Sequence, residues 1–365
     1  MLIAMDAIWI LTSGGDAPGM NAALRGLVKI AASRGVEVIG VCDGYEGLVE
    51  GRTRPLTRRD GGGLAPIPEI EGLSRLGGSA LGTARSDVFL TSEGRARAAV
   101  RLKGDIGLVV IGGNGSLTGA HELGREHGVR VVGIPASIDN DIGATSICIG
   151  VDTALNTIVE ACDRISDTAS AHRRAFVVEV MGRDCGYLAM ASAIAVEADA
   201  VMFREQGRGD AEVLAQLGDT VTRSLHPNRG KKRALIIKAE GVRLPTSTIV
   251  EALQDRLDGS SYRGASVRAT ILGHLVRGGS PSYRDRMIAG RFALAAIRTL
   301  EGGGADEMMA WQPFQGEGSP TEDPYVSRVP LAEVLAETAR LHDGTSKVTQ
   351  RRVAMMRRLE NVLSL

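Results

Sequence analysis

The chain has 365 residues and a mass of 38.4 kDa, and its 43 basic residues balance 43 acidic ones. With 44% hydrophobic and 24% charged residues, disorder driven by charge repulsion is excluded. Neutrality gives no general electrostatic reason to bind nucleic acid, and the length exceeds that of a single core, so two lobes are expected.

Cys42, Cys148, Cys162 and Cys185 stand too far apart for a CxxC metal clamp, and no run of about 18 apolar residues occurs. Nothing near the start resembles a leader segment. These features predict a soluble cytoplasmic protein with reduced thiols and neither a membrane nor a nucleic-acid partner. Aromatic residues are only 3%, which disfavours base-stacking platforms, whereas the 47 glycines cluster at the ends of apolar runs. Such clusters bring backbone close to phosphates.

In chain order, 7–11 reads as a buried strand, 12–19 breaks it, and 20–32 has helical spacing before a second strand at 36–41. Residues 50–80 read as loops with one short helix. Order returns with a strand at 106–111, a Gly-rich loop, a helix at 117–127 and a strand at 129–134. A helix at 152–165, a strand at 174–180, a helix around Leu188, a strand at 200–202, a helix at 210–225 and a strand at 233–238 repeat the plan. The segment 264–272 leads into Gly273–Pro281 and a long helix at 285–300. Residues 312–324 read as a surface loop, and 329–338 and the last twenty residues as helices. The alternation predicts an α/β fold with mostly parallel sheets covered by helices.

Two loops share one design. Gly14-Gly15 and Gly112-Gly113-Asn114-Gly115-Ser116 each end a buried strand and open a helix, whose free N–H groups and positive end suit phosphate. Neither is GxGxxG nor GxxxxGK[ST], so the dinucleotide and P-loop fingerprints are absent. A tight turn with no ligand would look the same. Glycine at 115 leaves room for an adenosine-linked phosphate chain, which a carboxylate would repel.

Ser137-Ile138-Asp139-Asn140-Asp141 follows the strand ending at Ile134, where ligands gather on a parallel sheet. Extended, Asp139 and Asp141 would face one side; in a turn they would fan around one point. One carboxylate can accept a hydroxyl proton while the other sets a magnesium ion. An isolated Asp-Asn-Asp also forms a local Asx turn. Arg85, in a Gly-rich loop, can offset charge on a phosphoryl group in transit or form a surface salt bridge. Arg174, Arg268, His274 and Arg277 sit at the edges of apolar segments and suit a phosphate clamp. His121, His127, His172, His226 and His342 show no zinc spacing, and Ser13 and Ser116 lack a G-x-S-x-G setting.

Together TSGGDAPGMNAA (12–23), GTAR (82–85), IGGNGS (111–116), SIDNDI (137–142), VVEVMGRDCGYLA (177–189) and GHLVRGGSP (273–281) resemble the bacterial-type phosphofructokinase family. The resemblance runs from about Ala7 to about Leu300. It implies two Rossmann-like lobes with the active site in the cleft: 1–150 with 275–330 for the nucleotide, and 151–274 with 331–365 for the sugar phosphate. It further implies transfer of the terminal phosphoryl of ATP to the 1-hydroxyl of fructose 6-phosphate.

By the same resemblance Asp139 is the base, Asp141 organises Mg2+ with Asn114, and Ser137 keeps a hydroxyl usually supplied by threonine. Arg85 and the Gly15 backbone hold the phosphoryl. Arg174, Met181, Gly182, Arg183, Glu240, Arg268, His274 and Arg277 bind the sugar phosphate. Tyr45, Ser86 and the loop Gly112, Gly113, Asn114, Gly115 and Ser116 join Gly15 and Arg85 on the nucleotide side. Arg174 and Arg268 would reach in from a neighbouring copy, which implies a homo-oligomer, a tetramer ahead of a dimer.

Pyrophosphate users of the family place aspartate where this chain has Gly115 and lysine where it has Ala136, so ATP is expected. The common GGDGS loop here carries Asn114, which brings no charge to a metal. Arg25 and Lys29 keep basic character at two effector positions, but Ser166 replaces an arginine, so familiar allosteric control is not expected. Pyrophosphate, another sugar phosphate or a weakly active regulatory subunit are the alternatives.

Overall fold

A computed structural model describes residues 5–259, 265–312 and 318–363. The backbone forms two compact units. The first takes residues up to Ile138, Ile142–Thr153 and Arg277–Ala339; the second takes Asp139–Asp141, Ala154–Val276 and the residues from Arg340 onward. The turn 139–141, expected with the first lobe, groups with the second unit, and 331–339 groups with the first.

The first unit opens with β1 (Ala7–Ser13), α1 (Met20–Ser33), β2 (Glu37–Val41), α2 (Gly44–Glu50), β3 (Thr53–Pro55), β4 (Thr57–Asp60) and β5 (Gly63–Pro66). It continues with α3 (Ser92–Arg101), β6 (Ile106–Gly112), α4 (Asn114–His127) and β7 (Arg130–Pro135). Helix α5 (Val151–His172) starts there and carries the chain into the second unit. That unit holds β8 (Arg174–Val180), α6 (Tyr187–Ala195), β9 (Ala200–Met202), α7 (Asp210–Ser224), β10 (Ala234–Ala239), α8 (Thr246–Asp258) and β11 (Ser266–Ile271). The chain returns through α9 (Tyr283–Glu301), β12 (Glu307–Trp311), β13 (Ser319–Pro320), β14 (Val326–Pro330) and α10 (Leu331–Asp343), and α11 (Lys347–Leu363) follows in the second unit.

The first sheet runs β13-β14-β12-β7-β6-β1-β2-β3, parallel from β12 to β2 and antiparallel at its margins. The second, β11-β8-β10-β9, is wholly parallel. Their central strands are continuous apolar runs because helices cover both faces: β6 is IGLVVIG, buried from Gly107 onward. Helix α1 turns Leu24, Leu27, Val28 and Ala31 inward at helical spacing. In the second unit Val177 and Ile236 of the sheet meet Leu217 and Val221 of α7 and Ile249 and Leu253 of α8 in one core.

Residues 50–80 are more regular than their sequence suggests. β4 and β5 pair with Asp60 opposite Gly63, so Gly61-Gly62 is a two-residue hairpin turn. Helices α3 and α8 and strand β12 also escaped the sequence reading. Within α3 only Gly94 and Ala98 are buried, too few to mark an apolar stripe. The helix expected at 329–338 begins at Leu331, because Val329-Pro330 closes β14. Gly264, residues 313–317 of the expected loop, and the last two residues lie outside the described residues. The four cysteines are free, and among the described residues no helix is long and apolar enough to cross a membrane.

Asp285, fully buried near the start of α9, holds the first unit together. Its carboxylate accepts from Gly150 N at 2.9 Å, Thr153 N at 2.8 Å and Thr153 Oγ1 at 2.5 Å, capping the start of α5 from a distant helix. Burial raises its pKa, opposed by these hydrogen bonds. A carboxyl raised in this way gives its full stability below the ordinary range and loses it as pH rises through the folded value. Asp285→Ala should cost roughly 3 kcal/mol in denaturant unfolding, because three buried donors lose their acceptor. Asp285→Asn should flatten the decline of stability with rising acidic pH; an unchanged pH profile would contradict this role.

Candidate active site

Three parallel strands of the first unit end in one line. Ser13 of β1 stands opposite Gly112 of β6, and Gly112 opposite Pro135 of β7. The next residues are therefore Gly14-Gly15, Gly113-Asn114-Gly115 and Ala136-Ser137, side by side at the carboxyl edge, where a parallel sheet binds ligands. Ala136 N donates to Gly112 O at 3.0 Å, and Ser137 N to Ile149 O at 3.2 Å. Gly112 is required by close approach: a Cβ there would meet Ser116 Oγ and Ser13 O, each at 2.5 Å.

Helix α4 starts at Asn114, three residues before the expected start, with Gly113 as an N-cap that offers no side-chain acceptor. Ser116 N and Leu117 N donate to Gly113 O, each at 3.0 Å, and the Asn114 and Gly115 N–H groups stay available to an anion. The Asn114 amide makes no hydrogen bond among the described residues; only its backbone oxygen is used, by Thr118 Oγ1 at 3.0 Å. A Cβ on Gly115 would meet nothing within 4 Å, so packing does not dictate that glycine.

Arg277, 9% exposed, lies against this edge. Its Nη1 donates to Asp16 O at 3.2 Å and stands 2.8 Å from where a Gly15 Cβ would be, bringing a cation onto the first glycine loop. Arg85 is exposed and forms neither hydrogen bond nor ion pair among the described residues. Its loop is held from behind: Thr12 Oγ1 donates to Gly82 O at 2.8 Å. Asn21 Oδ1 accepts from Ala80 N at 2.7 Å, while its Nδ2 donates to Leu76 O and Gly77 O at 3.1 and 3.0 Å. Sequence reasoning assigned Asn21 no role; its place in TSGGDAPGMNAA was the available signal.

Three residues of the nucleotide-side set are tied into the protein itself. Tyr45 is 5% exposed, stacks on Phe89 at 3.9 Å and donates its hydroxyl to Ser116 O at 2.6 Å. Burial pushes its pKa up, and the hydroxyl braces α4 from beneath. Ser116 is 4% exposed and packs between the glycine loops. Ser86 Oγ accepts from Phe89 N at 3.2 Å and closes a local turn.

In the second unit Asp139-Asn140-Asp141 runs from a turn into irregular backbone, with Asn140 at φ 52°, a left-handed conformation that asparagine tolerates. The two carboxylates have different neighbours, Arg183 for Asp139 and His342 for Asp141. Asp139, 4% exposed, has Oδ2 3.8 Å from Arg183 Nε. Arg183 is itself left-handed, at φ 48°. Glu240, just after β10, accepts at Oε1 from Gly182 N at 3.2 Å and Arg183 N at 2.7 Å. That contact fixes the 181–186 loop after β8, and Gly241 must be glycine because a Cβ would strike Arg183 O. Met181 is 7% exposed and contributes to the core. His342 Nε2 stands 3.4 Å from Asp141 Oδ2, and this neighbour holds the imidazole's pKa above its usual value.

The four residues read as a phosphate clamp lie on different elements. Arg277 belongs to the glycine edge of the first unit. His274 follows the carboxyl end of β11, at the same sheet end as Glu240 and Arg183. Arg174 opens β8, six residues or about 20 Å of strand from Val180. Arg268, paired beside Phe176, lies in that amino half and is exposed.

A phosphofructokinase family model matches residues 7–300. The chain belongs to the phosphofructokinase family. It is 46% identical over 310 residues to an ATP-dependent 6-phosphofructokinase of Thermotoga neapolitana, covering 84% of this chain and 90% of that one. The corresponding enzyme of Thermotoga petrophila is 44% identical over 334 residues, 91% and 95% of the two chains. A phosphofructokinase structure from Saccharomyces cerevisiae superposes with a TM-score of 0.78 at 31% identity, covering 95% of this chain and 47% of that longer one.

The family assignment leaves a structural contrast between two glycines of one loop. Gly112→Ala should cost about 2 kcal/mol or more through overpacking, whereas Gly115→Ala should range from neutral to about 1 kcal/mol stabilising. Denaturant unfolding of both variants checks this, and equal effects would contradict the described packing.

Proposed function

We propose that this chain is a cytoplasmic ATP-dependent 6-phosphofructokinase. The observation that carries the reading is the aligned strand-end edge of the first unit, with an uncapped α4 beside open space at Gly115 and Arg277 on the Gly15 loop. The names of the bacterial relatives support ATP as donor and fructose 6-phosphate as acceptor.

In this reading the N–H groups of Gly15 and of the Gly113–Gly115 loop hold the donor phosphates. Asp139 takes the proton of the sugar 1-hydroxyl, whose oxygen attacks the terminal phosphorus. That oxygen–phosphorus bond forms as the bond to ADP breaks, giving fructose 1,6-bisphosphate. Arg85, without a protein partner, is available to the equatorial oxygens as charge gathers there. Glu240 keeps Oε2 for sugar hydroxyls while Oε1 holds the 182–183 backbone. Arg183 and His274 serve the sugar phosphate.

Arg174 and Arg268 lie toward the other end of their strands, which supports their use by a neighbouring copy in a homotetramer. Among the described residues no group of three or more His, Cys, Asp and Glu could hold a metal by itself. That fits magnesium carried on nucleotide phosphates and water with one or two protein oxygens. Asp141 and the Asn114 amide would hold it, and it would neutralise developing phosphate charge. Arg25 and Lys29 are both paired with Glu71, at 3.4 and 2.9 Å, which supports the absence of familiar effector control.

The test is a matrix of ATP and pyrophosphate against fructose 6-phosphate and related sugar phosphates, with magnesium. Turnover should require ATP and fructose 6-phosphate, and Asp139→Asn should lower kcat about a thousandfold with nucleotide binding retained. Turnover with pyrophosphate but not ATP, or full turnover in the variant, would overturn the reading.

A further inference from the structure

His342 lies beyond residue 300, where the family match ends, and outside every motif that carries the assignment. It nevertheless reaches Asp141, with Nε2 3.4 Å from Oδ2. Asp141 itself sits in irregular backbone just after the left-handed Asn140, so no strand or helix fixes its direction. His342, by contrast, sits in the last turn of α10, on a well-tied support. Asp343 Oδ1 accepts from Thr345 N at 2.8 Å and Thr345 Oγ1 at 2.6 Å, and Ser346 N donates to Arg340 O at 2.9 Å.

The following helix is anchored in the same unit. Glu360 of α11 accepts from Arg208 at 2.5 Å and from Gln206 at 2.8 Å. Arg352 lies 4.5 Å over the Tyr187 ring, at the start of α6 just after the loop that carries Arg183. Two helices at the end of the chain thus present one imidazole to one carboxylate. Contact at one oxygen restricts carboxylate rotation, the arrangement by which outer partners orient metal-binding carboxylates.

We propose that His342 is a positioning residue for Asp141, through which the C-terminal helices α10 and α11 set the site's hold on the metal–nucleotide complex. This rests on the reading that Asp141 organises magnesium. It assigns the C-terminal segment a part in metal affinity that the motifs before residue 300 do not contain.

The experiment compares the full-length wild type with His342→Ala, His342→Gln, Asp141→Asn and the double variant His342→Ala/Asp141→Asn. Binding of Mn2+ in the presence of ADP is read by electron paramagnetic resonance, beside the magnesium dependence of turnover and the KM for fructose 6-phosphate. His342→Ala should weaken Mn2+ binding about tenfold and raise the half-saturating magnesium concentration, with the sugar KM unchanged. His342→Gln, which retains a donor, should recover most of that loss. The double variant should bind Mn2+ no more weakly than Asp141→Asn.

Wild-type Mn2+ affinity in His342→Ala, with Asp141→Asn impaired, would overturn the proposal and leave the role of Asp141 standing. A loss in the double variant equal to the two single losses combined would also overturn it. Unchanged Mn2+ affinity in Asp141→Asn would refute the metal reading of Asp141 and the proposal with it. If His342→Ala does not fold, His342→Leu, which also lacks a donor, takes its place in the same comparison with Asp141→Asn.

Discussion

The parallel register of β1, β6 and β7 sets everything else in the first unit. Because Ser13, Gly112 and Pro135 stand opposite one another, three loops leave the sheet at one level. Ser116 can then sit between the glycine loops, and only a residue without a Cβ fits at 112. A one-residue slip of β6 would exchange its two faces and move the start of α4 out of line.

The second unit uses a different device to the same end. Its carboxyl-end loops are tied by a carboxylate on backbone N–H groups, Glu240 to Gly182 and Arg183, and by the close approach at Gly241. The left-handed Asn140 and Arg183 fall in the two segments that meet at the Asp139–Arg183 pair. Such conformations cost of order 1 kcal/mol or more each and persist where surrounding contacts enforce them. Here those contacts include the Glu240 hydrogen bonds, which hold the backbone of Arg183 itself.

Much of this was legible because it is local. Continuous apolar runs ending in Gly-rich loops marked the sheet strands and their ligand edge, and the order of motifs marked the family. What the sequence hid was direction and distance. Tyr45 lies near the motifs, yet its hydroxyl points to Ser116 O inside the protein. Arg174 and Arg277 look alike as edge arginines, but they belong to different units. Asn21 acts on residues more than fifty positions away, and His342 on one about two hundred away, so no spacing rule could find either. The β4–β5 hairpin was missed for a simpler reason: its Gly61-Gly62 turn joins a polar, mostly exposed strand to Gly63–Pro66, whose glycine and proline read as loop.

The central claim is that donor phosphates rest on backbone N–H groups at this edge, and hydrogen–deuterium exchange tests it most directly. On adding magnesium and ATP without sugar, exchange should slow in peptides covering Gly14–Asp16 and Gly113–Leu117, with little change along β9 or α7. Nucleotide binding that leaves both glycine segments exchanging at their free rates would contradict the account.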